Sequence, residues 1–168
     1  MKRVCVLLEE LVEDIEFLYP YIRFKEEGLE VTSASPQIKE FRGKNGMLFR
    51  PDKAIGEVFE ENFDCLFIPG GYAPDKLRRY SEVLNMVRRH VEVGKIVAAV
   101  CHGPWVLISA KAIKGRKVTG FYAIKDDIEN SGAIYTGKPV EEDGNIITAT
   151  DPNSMLGMMK IILERLKA

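Results

Sequence analysis

Short unbroken runs of aliphatic residues alternate along this chain with longer stretches in which apolar positions return at helical spacing. The run Arg3–Leu8 predicts a strand buried on both faces. Asp14 offers a cap for a helix to about Glu27, closed by Gly28. Along it Ile15, Leu18, Ile22 and Leu29 keep helical spacing, and Pro20 marks a kink or an early turn. Leu29–Ala34 alternates as a second strand, and strand, helix, strand implies a right-handed parallel crossover. Two short segments between Ile38 and Pro51 flank Gly43-Lys44-Asn45-Gly46, which predicts a hairpin appended to the main sheet.

The alternation continues. Ile55–Phe59 reads as one or two helical turns, Cys65–Ile68 as a buried strand ending in Pro69-Gly70-Gly71, and Ser81–Val93 as a helix with Val83, Leu84, Val87 and Val91 on one face and Gly94 as its stop. Ile96–Val100 is a further buried strand and Trp105–Ala110 the helix after it. Val118-Thr119 is a short strand, Lys125–Asn130 a helix, Val140–Thr148 a hairpin about Asp143-Gly144, and Pro152–Leu166 an amphipathic closing helix. With no repeat or linker, residues 1–168 read as one α/β domain around a mostly parallel, doubly wound sheet. Sites in such sheets lie at the carboxyl ends of the strands.

Composition narrows the partners. Of 168 residues 46% are hydrophobic and 29% charged, with 24 Lys and Arg against 25 Asp and Glu. A balanced surface argues against nucleic acid or an anionic membrane. No apolar run reaches the roughly 18–20 residues of a membrane span, and carboxylates follow the N-terminus too closely for a signal peptide, so a cytoplasmic location is expected. Cys5, Cys65 and Cys101 are odd in number, far apart and without zinc-ligand spacing. They read as reduced thiols, with no metal site or cofactor expected.

The strand-end rule directs attention to Ala99-Val100-Cys101-His102-Gly103-Pro104. A nucleophile elbow carries small residues two positions either side of the nucleophile because the turn is crowded, and Ala99 and Gly103 meet that need. The end of the following helix favours a thiolate, so Cys101 is expected to be reactive. Cys5 and Cys65, inside apolar strands, read as small core hydrophobes. Only His90 and His102 can serve as base. His90, beside a helix's apolar face, is expected to be structural and at most half-buried. His102 is the candidate to orient or deprotonate the thiol. A class I glutamine amidotransferase would need a later His-x-Glu element, and no His follows His102.

Two further groups belong to the same sheet edge. Gly70 and Gly71 can bring backbone N–H groups close to a ligand and, with the N–H of His102, form an oxyanion hole. Glu13 and Glu16 open the first helix where the first strand ends. Either carboxyl, if kept protonated by burial, could hydrogen-bond the sulfur or carry a substrate proton.

Together these motifs resemble a PfpI-type intracellular cysteine peptidase of the ThiJ/PfpI superfamily over nearly the whole chain. The resemblance rests on Glu13-Asp14-Ile15-Glu16 with Tyr19-Pro20, Ile68-Pro69-Gly70-Gly71 with Ala73-Pro74, Val100 to Pro104, Gly115-Arg116-Lys117, and Ile124 to Asp127. It implies a flavodoxin-like three-layer sandwich with Cys101 as nucleophile, His102 beside it, Glu16 hydrogen-bonded to the sulfur and Glu13 as a second acid. It also implies a homo-oligomer, dimer or hexamer, in which an acid after the Gly-Gly turn reaches the histidine of a neighbouring subunit. The matching position is Asp75, where the family pattern has Glu, shorter by roughly 1.5 Å. Phe121 replaces a Tyr or His, and Thr150 an Arg. The implied activities are cysteine-dependent hydrolysis of peptides, glyoxalase III or deglycase action on small reactive carbonyls, and a redox-sensing or chaperone role in stress.

Overall fold

Every side chain of an aliphatic run can be buried only in a strand covered on both faces, and the three such runs near the site become neighbours at the centre of one sheet. The computed structural model describes residues 1–167. Its elements are β1 (Arg3–Leu7), α1 (Asp14–Glu26), β2 (Glu30–Ser35), β3 (Phe41–Arg42), β4 (Leu48–Phe49), β5 (Lys53–Ala54), α2 (Ile55–Val58), β6 (Cys65–Ile68) and α3 (Ala73–Leu77). They continue with α4 (Ser81–Glu92), β7 (Ile96–Val100), α5 (Pro104–Ser109), β8 (Lys117–Val118), α6 (Lys125–Asn130), β9 (Ile134–Tyr135), β10 (Val140–Asp143), β11 (Ile146–Ala149) and α7 (Met155–Lys167).

The seven-stranded sheet runs β10-β11-β7-β6-β1-β2-β5, parallel except for β10. From β1 the chain winds outward to β2 and β5, then returns to β6 on the other side. That reversal opens a crevice at the carboxyl ends of β1 and β6, beside β7. Helices α1 and α7 touch each other, as α4 touches α2 and α5, which gives a three-layer flavodoxin-like α/β sandwich. The β3–β4 hairpin forms as the glycine-flanked turn predicts.

Several expectations need correction. Asp14 is not a cap; it is the first helical residue, and its carboxylate accepts the N–H groups of Asn45 at 2.8 Å and Met47 at 2.9 Å from the hairpin. The Ile15, Leu18, Ile22 stripe does not face the core: Ile15 is 52% and Ile22 46% exposed. Glu16, Phe17, Pro20 and Phe24 face inward instead, with Phe24 against Phe67 of β6. Both faces of α1 carry apolar residues, so spacing alone could not choose between them. Pro20 lies within the helix. Helix α3 has no counterpart in the apolar periodicity.

His90 is wholly buried rather than half-buried. Its Nε2 accepts the Phe63 N–H at 3.0 Å and its Nδ1 donates to the Met86 carbonyl at 2.7 Å, so the ring is neutral and ties α4 to the loop before β6. Burial, offset in part by the Met86 contact, lowers its pKa. A lowered folded-state value means that this contribution to stability is present above the unfolded value and lost as pH falls. His90→Ala should cost about 2–4 kcal/mol, from a cavity and an orphaned Phe63 N–H, read as a shifted denaturation midpoint. It should also flatten the loss of stability between pH 7 and pH 5.

Candidate active site

Three loops converge above the crevice. The loop after β1 and the turn after β6 meet in an antiparallel bridge between Val12 and Gly71, with the Tyr72 N–H on the Leu11 carbonyl at 2.9 Å. Beside them β7 ends at Cys101, which adopts φ +61°. A non-glycine residue in this left-handed region costs about 1–2 kcal/mol, so neighbours must hold it. Its N–H donates to the Ala149 carbonyl and its carbonyl accepts the Phe121 N–H, each at 2.9 Å. Gly103 is required because a Cβ there would lie 2.6 Å from the Ile68 carbonyl oxygen.

The turn at Gly70–Gly71 is as crowded. A Cβ on Gly70 would overlap the Glu16 carboxylate and stand 2.9 Å from Cys101 Cβ. One on Gly71 would overlap the Glu13 nitrogen, and Gly71 has φ +75°. Gly71→Ala should therefore cost at least about 3 kcal/mol by denaturant titration, from the combined backbone overlap and left-handed strain.

Cys101, His102, Glu16, Glu13 and Gly71 all line one cavity of about 450 Å³, with Lys44, Tyr72, Trp105, Phe121, Asp151 and Pro152. Cys101 Sγ lies 3.2 Å from His102 Nδ1. The imidazole is flanked by the rings of Trp105 and Phe121, each centred 5.0 Å away. Burial, then the charge of Lys44, lowers the pKa of His102. Phe121 orients the imidazole without offering a proton.

Glu16 is wholly buried. Its Oε1 accepts the Gly70 N–H at 2.9 Å, while its Oε2 has no partner. Burial, opposed by the Gly70 N–H and reinforced by Glu13, pushes this carboxyl up to about 8, so it holds a proton at neutral pH. The thiol is not lowered as the helix end suggested. Burial, then the Glu16 charge, pushes Cys101 up to about 12, against the N–H groups of His102 and Gly71 and the ammonium of Lys44. Helix α5, with six residues, has too small a dipole to reverse this. Thiol and carboxyl therefore compete for protons, and once Glu16 is protonated its push on the sulfur disappears.

The remaining predicted site residues each have a partner. The Gly70 N–H is engaged by Glu16 and so does not serve an oxyanion; Gly71 and His102 supply the N–H groups that face the sulfur. Glu13 is held by the hairpin, with Oε1 accepting Asn45 Nδ2 at 2.6 Å and Oε2 3.1 Å from Lys44 Nζ. Asp75 sits on α3, half-exposed, with its carboxylate on Arg79 at 2.7 Å. It lines a separate cavity with Arg78 and Lys111, and its carboxylate bonds Arg79 rather than His102 of its own subunit. Lys44, Tyr72 and Asp151 went unrecognised in the sequence. Lys44 had a signal, its place between the two turn glycines of a hairpin that folds toward the strand ends. Among the described residues no helix is long and apolar enough to cross a membrane, and no group of three or more His, Cys, Asp or Glu is placed to hold a metal ion.

A strained cysteine turn at the carboxyl edge of a doubly wound sheet defines an α/β protein of the nucleophile-elbow class. The chain belongs to the DJ-1/PfpI family, whose pattern matches residues 2–165. It is 39% identical to a protein named deglycase PfpI from Pyrococcus furiosus, over 92% of this chain and 93% of that one. It is 38% identical to protein/nucleic acid deglycase 2 of Escherichia coli, over 92% and 91%. Among solved structures it superposes with TM-score 0.96 and 40% identity on a two-domain protein from Anabaena variabilis containing DJ-1/ThiJ/PfpI-like and ferritin-like domains. That match covers 99% of this chain and 48% of the other. Drosophila melanogaster DJ-1beta superposes with TM-score 0.93 at 26% identity, over 98% and 90%.

Proposed function

We propose that this chain is a cysteine-dependent enzyme acting on small reactive carbonyls, such as methylglyoxal, and on their adducts. The observation that carries this reading is Glu16, a buried carboxyl raised to about 8 in the same cavity as Cys101. Such a group gives a proton at neutral pH and takes one back. Two relatives named as deglycases support the same branch.

In this reading the Cys101 sulfur bonds to the aldehyde carbon, its proton passing to His102 Nδ1. The carbonyl π electrons move to oxygen, which receives the Glu16 proton and is held by the N–H groups of Gly71 and His102. The Glu16 carboxylate then removes the hydrogen from that carbon as electrons pass to the neighbouring ketone oxygen, which takes the proton held by His102. Glu16 returns the hydrogen to the former ketone carbon while the first hydroxyl gives its proton to His102 and becomes the carbonyl. The product is a thioester, which water releases as a hydroxy acid, with no external oxidant or reductant.

Peptide hydrolysis is the second reading, supported by the 3.2 Å contact between Sγ and Nδ1. It asks more of the histidine, which must protonate a leaving amine, and Asp75 of the same subunit is committed to Arg79. Assay of purified protein on methylglyoxal and on fluorogenic peptides separates the two. Lactate formation with little peptide cleavage supports the carbonyl reading, and cleavage without lactate reverses it. Neither activity, together with selective peroxide oxidation of Cys101, would leave a redox sensor.

A further inference from the structure

The cavity around Cys101 is lined by three carboxyl side chains, Glu13, Glu16 and Asp151, and by a single ammonium, that of Lys44. Lys44 arrives from the tip of the β3–β4 hairpin, whose strands contribute two residues each. So short a hairpin does not hold itself together in water. This one is fastened to the start of α1: the Lys44 N–H donates to the Val12 carbonyl at 2.8 Å, and Asn45 and Met47 donate their N–H groups to Asp14. A Cβ on Gly43 would overlap the Asp14 carboxylate that these N–H groups hold. The ammonium is then fixed between Glu13 Oε2 at 3.1 Å and the Tyr72 ring, whose centroid is 5.7 Å away. A lysine held at both its backbone and its head has surrendered the rotamer freedom that surface lysines keep.

We propose that Lys44 is the cation that offsets negative charge arising on the Cys101 sulfur and on the oxygen of its adduct, with Glu13 as the positioning residue that aims it. The part concerning the adduct rests on the carbonyl reading; the part concerning the sulfur does not. Lys44 favours the charged forms of both Cys101 and Glu16 and the neutral form of His102. The other groups facing the sulfur are accounted for. Glu16 is protonated at neutral pH and the pKa of His102 is lowered. Asp151 lies on the loop before α7, where Ser154 and Thr150 bond its carboxylate. Glu13 is compensated by Lys44 itself. Removing the ammonium therefore strips the sulfur of its cation and leaves the Glu13 charge bare, two changes that push the same way.

The test is the rate of Cys101 alkylation by neutral iodoacetamide and by anionic iodoacetate at one mildly alkaline pH, in wild type, Lys44→Met, Lys44→Gln and Lys44→Arg. Both neutral variants should lower the iodoacetamide rate at that pH several-fold, about tenfold less thiolate being partly offset by a more basic sulfur. Their iodoacetate-to-iodoacetamide ratio should fall several-fold, and Lys44→Arg should restore both. Rate and ratio unchanged in either neutral variant, with a wild-type circular dichroism spectrum, would overturn the proposal. These readouts need no substrate. If they move as expected and methylglyoxal is not turned over, the carbonyl reading fails and the action of Lys44 on the sulfur stands. Turnover with unmoved readouts would keep the carbonyl reading and remove the role of Lys44.

Discussion

Cys101→Ser should lower turnover of methylglyoxal by about a thousandfold or more, with the fold intact. A serine hydroxyl is far harder to ionise than a thiol, and the only base in contact, His102, has had its own proton affinity reduced by burial. Nothing in the cavity could activate the oxygen. The same variant should change a simpler measurement. Cys5 and Cys65 are wholly buried in β1 and β6, and burial pushes both thiols far above the ordinary range. Native protein should therefore react as one thiol with a disulfide reagent and as three after unfolding. Native Cys101→Ser should show none. Equal labelling of all three cysteines in the native protein would mean that the strands open readily and that Cys101 has no special exposure.

Glu16→Gln should move activity and stability in opposite directions. The amide keeps an acceptor for the Gly70 N–H but cannot carry a proton to or from the substrate, so turnover should fall at least about a hundredfold. Stability responds through linkage. The folded-state value of Glu16, about 8, lies well above the ordinary 4.5, so the folded protein holds a proton that the unfolded chain releases. A raised value gives stability that is fully present below 4.5 and lost as pH rises through 8. Between pH 6 and pH 9 wild type should lose about 2–3 kcal/mol relative to the Glu16→Gln variant, a difference in melting temperature of roughly 5–10 °C. Melting curves at the two pH values check this. Equal slopes would mean that Glu16 stays ionised in the folded state, and its role as proton carrier would fall with that result.

Much of this arrangement is visible without coordinates. The aliphatic runs at Cys65–Ile68 and Ile96–Val100 match β6 and β7 residue for residue, because a strand buried on both faces admits nothing else. The elbow is legible for a related reason: a left-handed turn between strand and helix tolerates only small flanking residues, and Ala99 and Gly103 are there. Where α1 shows two apolar faces the pattern is silent, and the exposed stripe of Ile15 and Ile22 misleads.

The roles inside the cavity are of another kind. The chain by itself determined which residue types meet at the strand ends, since β1, β6 and β7 stop where glycine, proline and carboxylate begin and a parallel sheet brings those ends together. Only the tertiary structure decided their states. Glu16 is protonated because the sheet and α1 exclude water from it, and Cys101 is raised because it shares that burial. Glu13 turns to Lys44 because a hairpin distant in sequence docks there. Short-range spacing places side chains on an element. Desolvation and charge depend on which elements close over them, and that is a property of the packed molecule.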